Sequence, residues 1–170
     1  IEILTDANQS LTPRQAITLA RQLEPLNIGW LEEPIAAHDL VGHNRVLEAI
    51  NIPLTSGETD YTRFGMKDML DNKAVDVLMP DLQRIGGLSE FRKTAALASA
   101  YNVPISSHIF TEQSLSIAGS ADNCISVEHV DWFAPIYQEK IQVIEGYIDM
   151  PSGPGLGFNF DYDFIDQNLI

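Results

Sequence analysis

Six times along this chain a short apolar run ends in a polar, chemically capable residue and then gives way to a helical pattern. The polar residues are Asp6, Glu32, Glu58, Asp81, His108 and Glu128, at successive separations of 26, 26, 23, 27 and 20 residues. Each interval has room for one strand–helix unit. Strands that alternate with helices in this way are expected to lie parallel. Ile1, Ile3 and Leu4 mark a short first strand, and Thr12-Pro13 opens a helix as N-cap and first-turn proline. Further strands are expected over 28–31, 53–55, 75–79, 103–106 and 125–127. The intervening helices are marked by Val46, Leu47 and Ile50, then by 64–70, 88–101 and 114–121. After Glu128 the pattern changes. Residues 140–150 read as a hairpin around Gly146, 151–157 as a Gly/Pro-rich loop, and 164–169 as a short final helix.

Parallel βα units build either an open doubly wound sheet or a closed barrel. No Gly-x-Gly-x-x-Gly follows the first strand, so a dinucleotide site lacks its main support. A complete (β/α)₈ barrel takes about 200–250 residues or more, and this chain has 170. The expected fold is α/β: a partial TIM-type barrel of about six βα units, short of its first strands. The whole of residues 1–170 is read as one domain, incomplete at its N-terminus.

The formal charge is −14, from 10 Lys+Arg against 24 Asp+Glu. No basic patch stands out, which argues against nucleic acid as a partner. No apolar run approaches the roughly 18 residues of a membrane span. Cys124 is the one cysteine, so no intrachain disulfide can form, which suits a cytoplasmic protein.

In a barrel the C-terminal ends of the strands share one rim, where active sites sit. The six polar residues would then converge. Asp6, Glu32 and Glu58 are hard oxygen donors on adjacent strands, a set suited to Mg²⁺. Clustered without a cation they would repel; taken singly, each is an ordinary exposed acid. Asp81 and His108 fall on consecutive strands. A carboxylate on one imidazole nitrogen fixes the tautomer and raises the basicity of the other, so His108 is a candidate general base. Glu128 reads equally as a ligand, an acid or a solvated strand end. His38, His43 and His129 read as loop histidines.

At these residues the chain resembles the mandelate racemase and muconate lactonizing group of the enolase superfamily. The matching stretches are Asp6-Ala-Asn8-Gln-Ser10, Trp30-Leu-Glu32-Glu-Pro34, Ser56-Gly-Glu58, Met79-Pro-Asp81 with Ile85-Gly-Gly87, and Ser106-Ser-His108-Ile-Phe110. Each is weak alone; all five in order are specific. His38-Asp39 and Gly42-His43 look like mandelate racemase. Glu128-His-Val-Asp-Trp132, with Pro135 and Gln138, resembles acid-sugar dehydratases.

The resemblance implies Asp6, Glu32 and Glu58 as Mg²⁺ ligands, His108 as base and Asp81 as its partner. It implies Glu128 as the acid that hydrogen-bonds a carboxylate oxygen of the intermediate, and Asn8 as a residue near the substrate. Glu33 adjoins a ligand, but the family pattern does not make it one. The implied reaction is removal of the α-proton of a small carboxylate, a 2-hydroxy acid or acid sugar, through an enediolate. An acid-sugar dehydratase is expected first, a racemase or epimerase second. A different metal enzyme, such as a hydrolase, and a non-catalytic barrel or binding module stay as alternatives. The family also has an N-terminal capping domain and a Lys-x-Lys motif on the second barrel strand; neither lies within these residues. Both open edges of an incomplete barrel would expose unpaired backbone, and the full-length protein is expected to be a homo-oligomer. Residues 1–170 in isolation are therefore expected to be unstable. A sharp, reversible thermal transition from a dilute monomer of this segment would contradict that expectation.

Overall fold

The computed structural model describes residues 1–169; Ile170, the last residue of the expected domain, lies outside them. Thr12 accepts from the Gln15 backbone while the Gln15 side chain returns to the Thr12 N–H, and this reciprocal cap starts the first helix. The alternation runs β1 (Thr5–Asp6), α1 (Pro13–Leu23), β2 (Leu31–Glu32), α2 (Leu40–Leu47), β3 (Leu54–Ser56) and α3 (Thr62–Asp71). It continues with β4 (Val77–Leu78), α4 (Leu88–Ala100), β5 (Ile105–Ser107), α5 (Thr111–Ala118) and β6 (Cys124–Val127). The first strand falls at Thr5–Asp6 and not at Ile1–Leu4, since Thr5 and Asp6 are the residues that register against Leu31 and Glu32. Helices α2 and α5 begin earlier than the apolar spacing suggests. Asp39 caps α2 by accepting from the Gly42 N–H, and α5 opens directly after Phe110, whose backbone is left-handed.

The five pairings within the six-stranded sheet are all parallel and follow chain order, β1 to β6. A doubly wound sheet reverses its order at a switch point; this one does not. Laid flat, β1 and β6 would stand about 24 Å apart, five strand spacings. Instead Thr5 and Asp6 share a 250 Å³ cavity with Ser126, Val127 and Glu128. The sheet is therefore curled, a half-barrel of six parallel strands with five intervening helices.

The main core fills the layer between the convex face of this sheet and the helices. Leu54, Leu78 and Ile105 from the strands meet Met66, Met69 and Leu70 of α3 and Phe91, Ala95 and Ala98 of α4. His43, expected in a loop, lies fully buried in α2, and burial lowers its pKa. His129 is bonded to Thr111 Oγ1 and Asp131; His38 is in a turn.

Beyond β6 the tail forms the expected hairpin, β7 (Val143–Ile144) with β8 (Tyr147–Ile148). Its two-residue turn, Glu145-Gly146, has positive φ at both positions (52° and 86°), as a type I′ turn requires. A short helix, α6 (Tyr162–Gln167), is capped by Asp161. The tail is anchored by Tyr137, 1% exposed, which packs with Phe158 and Phe160 and accepts from Gln113 of α5. No helix among the described residues is long and apolar enough to cross a membrane.

The two faces of the helical layer make a clear contrast. In the full-length protein, Phe91→Ala should cost about 3–5 kcal/mol in urea unfolding. Phe64→Ala, exposed beneath the Arg63 guanidinium, should cost about 1 kcal/mol or less. Equal losses would contradict this placement of the core.

Candidate active site

Because every strand of the curled sheet points the same way, the polar residues that end them gather on one rim. Asp6 closes β1, Glu32 closes β2 directly beside it in register, and Glu58 follows β3 by two residues. Gly57 allows the chain to turn there. Its φ is +136°, and a Cβ would meet the Met79 backbone nitrogen at 3.2 Å. Asp81 and His108 are opposed in a parallel bridge that extends β4 and β5 past their regular ends. Glu128 follows β6, its N–H donating to Ser107 O.

The sharpest feature of the rim is His108. Its Nδ1 lies 2.7 Å from Asp81 Oδ2, and the other Asp81 oxygen accepts from the backbone N–H groups of Gln83 and Arg84 at 2.8 Å each. Asp81 is thus fully buried yet saturated. Those bonds outweigh its burial and hold its pKa below the usual carboxylate range. The His108 Nε2 faces inward, 3.1 Å from Glu58 Oε2 and 3.9 Å from Glu128 Oε2. Burial works against a charged imidazole, but the hydrogen bonds to Asp81 and Glu58 and the negative charge of Glu58 and Glu128 prevail. The His108 pKa is raised to about 10.

The carboxylates on the other side of the rim are unlike one another. Glu32 is buried, accepts from Trp30 Nε1 at 3.1 Å, and has its pKa raised to about 7 by burial and then by the charges of Asp6, Glu128 and Glu58. Asp6 is exposed and its Oδ1 takes the Asn8 N–H at 2.7 Å. Glu58 is held by His108 and, through its other oxygen, by Arg84 Nη1 at 3.3 Å, which together lower its pKa despite burial. Among the described residues no three such groups already close on a single metal-holding point. Glu58 instead meets the two positive charges at hand. The donor set nevertheless fits a hard divalent cation. The three carboxylates end adjacent strands, and both the burial and the added repulsion that raise Glu32 are what a cation would offset.

Asn8, expected near the substrate, lies exposed in a left-handed turn at the rim. Sequence reasoning missed two polar participants, Arg84 and Gln9, the latter donating through Nε2 to Glu33 Oε2 at 2.7 Å. The spacing of Arg84, three residues past Asp81, places it on the rim once the Asp81 loop is known, but nothing in the sequence aims it at Glu58. In protein stripped of divalent cations, the raised His108 pKa implies stability present below about 6.5, its unshifted value, and lost as pH rises towards about 10. Asp81→Asn should pull that pKa down, as read from the imidazole proton resonances. An unchanged titration would mean that Asp81 is not its source.

The chain matches the family model described as enolase C-terminal domain-like over residues 1–164. It is 30% identical to D-xylonate dehydratase of Haloferax volcanii, across 99% of this chain and 43% of that protein. Its structure superposes with a TM-score of 0.93 on L-talarate dehydratase from Polaromonas sp., solved with Mg and L-glucarate, at 31% identity, covering 98% of this chain and 46% of that one. An enolase from Bradyrhizobium, solved with magnesium and mandelic acid, gives the same TM-score of 0.93 at 32% identity, with 98% and 46% covered. The chain therefore spans less than half the length of these relatives. It belongs to the enolase C-terminal domain-like family, the barrel part of mandelate racemase-type members of the enolase superfamily.

Proposed function

We propose that this chain is the barrel portion of a Mg²⁺-dependent enzyme that removes the α-proton of an acid sugar and eliminates its β-hydroxyl as water. One observation carries the reading: the Asp81–His108 pair shares a rim with three strand-end carboxylates, with the free imidazole nitrogen turned towards them. The kinship with D-xylonate and L-talarate dehydratases supports the substrate class.

In this reading Asp6, Glu32 and Glu58 hold the cation, and Asn8 lies beside the substrate. When bound, the cation supplies positive charge against the negative charge that grows on the substrate carboxylate as the α-proton leaves. Sites of this superfamily that pair a Lys or His base with Mg²⁺ are a known pattern of tuned acid–base chemistry. His108 Nε2 takes the proton, while Nδ1–H stays donated to Asp81 and so keeps one tautomer in place. Glu58 cannot give its Oε2 to a cation and to the imidazolium at once. With Glu58 engaged by a bound cation, its charge would no longer favour the imidazolium, and His108 Nε2 would be free to act as base. Glu128 has Oε2 tied to the Ile109 N–H at 3.0 Å, which leaves Oε1, as the hydroxyl of the protonated acid, to donate to the second substrate oxygen. The proton taken up by His108 Nε2 is then handed to the departing β-hydroxyl, which leaves as water; the enol that remains tautomerises to the 2-keto acid.

A second reading is racemisation, favoured by the likeness to the Bradyrhizobium structure that holds mandelic acid. It requires a base on the opposite face of the substrate. The full-length protein, assayed with aldonic and aldaric acids and Mg²⁺, should yield 2-keto acids. EDTA should abolish the product and Mg²⁺ restore it. His108→Asn should lower kcat by about 10²–10⁴-fold. Exchange of the α-proton with solvent deuterium without any keto acid would replace dehydration with racemisation. Neither product nor exchange would leave a non-catalytic barrel.

A further inference from the structure

Glu33 is the most deeply buried carboxylate of the rim after Asp81, at 1% exposed, and the reaction above gives it no task. Burial raises its pKa, and among the described residues no cation pairs with it. Its partners are neutral. Gln9 Nε2 donates to its Oε2 at 2.7 Å, and the hydroxyls of Ser56 and Thr59 stand 3.4 Å from its Oε1. Gln9 reaches further. The same Nε2 donates to Thr59 Oγ1 at 2.9 Å, its Oε1 accepts the Ala37 N–H at 3.0 Å, and its own N–H donates to Glu33 O at 2.6 Å. A buried carboxylate is costly to keep. An apolar side chain of similar size would fill the same space without that cost, so the bonds it makes call for an explanation.

The explanation lies in which residues the network joins. Glu33 adjoins Glu32, Thr59 adjoins Glu58, and Gln9 stands three residues after Asp6. One member therefore comes from beside each of the three carboxylates, on three separate strand ends. At two of these three points the backbone is held in a left-handed conformation, with φ of +60° at Gln9 and +34° at Glu33. Side chains rarely adopt these unless surrounding contacts enforce them.

The geometry points to Glu33 and Gln9 as positioning residues: a hydrogen-bonded brace that ties the three strand ends together and fixes how Asp6, Glu32 and Glu58 present themselves to a divalent cation. Neither residue touches the cation. They act on the backbone that carries its ligands, as outer partners of metal ligands commonly do. This inference rests on the metal-binding reading above.

The test uses the full-length protein and Mn²⁺ as probe, with affinity read by EPR and unfolding followed separately in EDTA. Gln9→Ala changes a half-buried rim residue and should weaken Mn²⁺ by about 10–100-fold. Its metal-free midpoint should move by only a few degrees. Glu33→Leu should weaken Mn²⁺ at least as much. Glu33→Gln keeps an acceptor for Gln9 and a donor for the Thr59 hydroxyl, so it should recover most of the affinity. A merely structural role would lower the metal-free midpoint and leave Mn²⁺ affinity unchanged; that result for Gln9→Ala overturns the brace even if Glu33→Leu fails to fold. Absence of Mn²⁺ binding by the unaltered protein overturns both the brace and the metal reading, and so separates the two failures.

Discussion

The parallel ladder is the constraint on which everything else depends. In a parallel pair all C-terminal strand ends face one way, and here five consecutive pairings keep that direction without a reversal. Asp6 and Glu32 become neighbours because Thr5 registers on Leu31, and His108 meets Asp81 because β4 and β5 continue in step for one more bridge. A slip of one residue would turn each of these side chains to the other face of the sheet. The rim is thus a product of register first and of side-chain chemistry second.

Register alone would leave an unfavourable cluster. Burial raises the pKa of Glu32 most, and bringing Asp6, Glu58 and Glu128 beside it raises it further through repulsion. The opposing charge comes from His108 and Arg84, and both meet at Glu58. Glu58 therefore joins the two halves of the rim: it belongs by position to the carboxylate group and by contact to the imidazole. Any ligand that competes for it alters both halves together.

Much of this was legible in the sequence because strand-end residues recur at intervals set by the length of a βα unit. The six strands, the intervening helices and the hairpin at Gly146 follow from apolar runs and turn chemistry. Boundaries were less legible. Regular strand structure covers only two to four residues in each barrel strand, so apolar length overstates or misplaces it, as at Ile1–Leu4. The placement of His43 was missed because a polar residue inside a helix gives no sign that its neighbours will enclose it. Gln9, Arg84 and Tyr137 were missed for a related reason. Their partners are 24 to 50 residues away, and a hydrogen bond across that span leaves no local periodicity to read. The rim residues came forward in the sequence by spacing and family likeness; their individual roles remain the reading proposed above.

The brevity of the strands has an evolutionary consequence. Each chemically capable side chain stands on, or within two residues of, the last rung of the ladder, where regular structure gives way to a loop. The scaffold's obligations end there, and loops beyond it can change length and composition with little effect on the hydrogen bonds below. A fold partitioned in this way can explore new substrates by remodelling its loops while inheriting an unchanged set of acids, bases and donors.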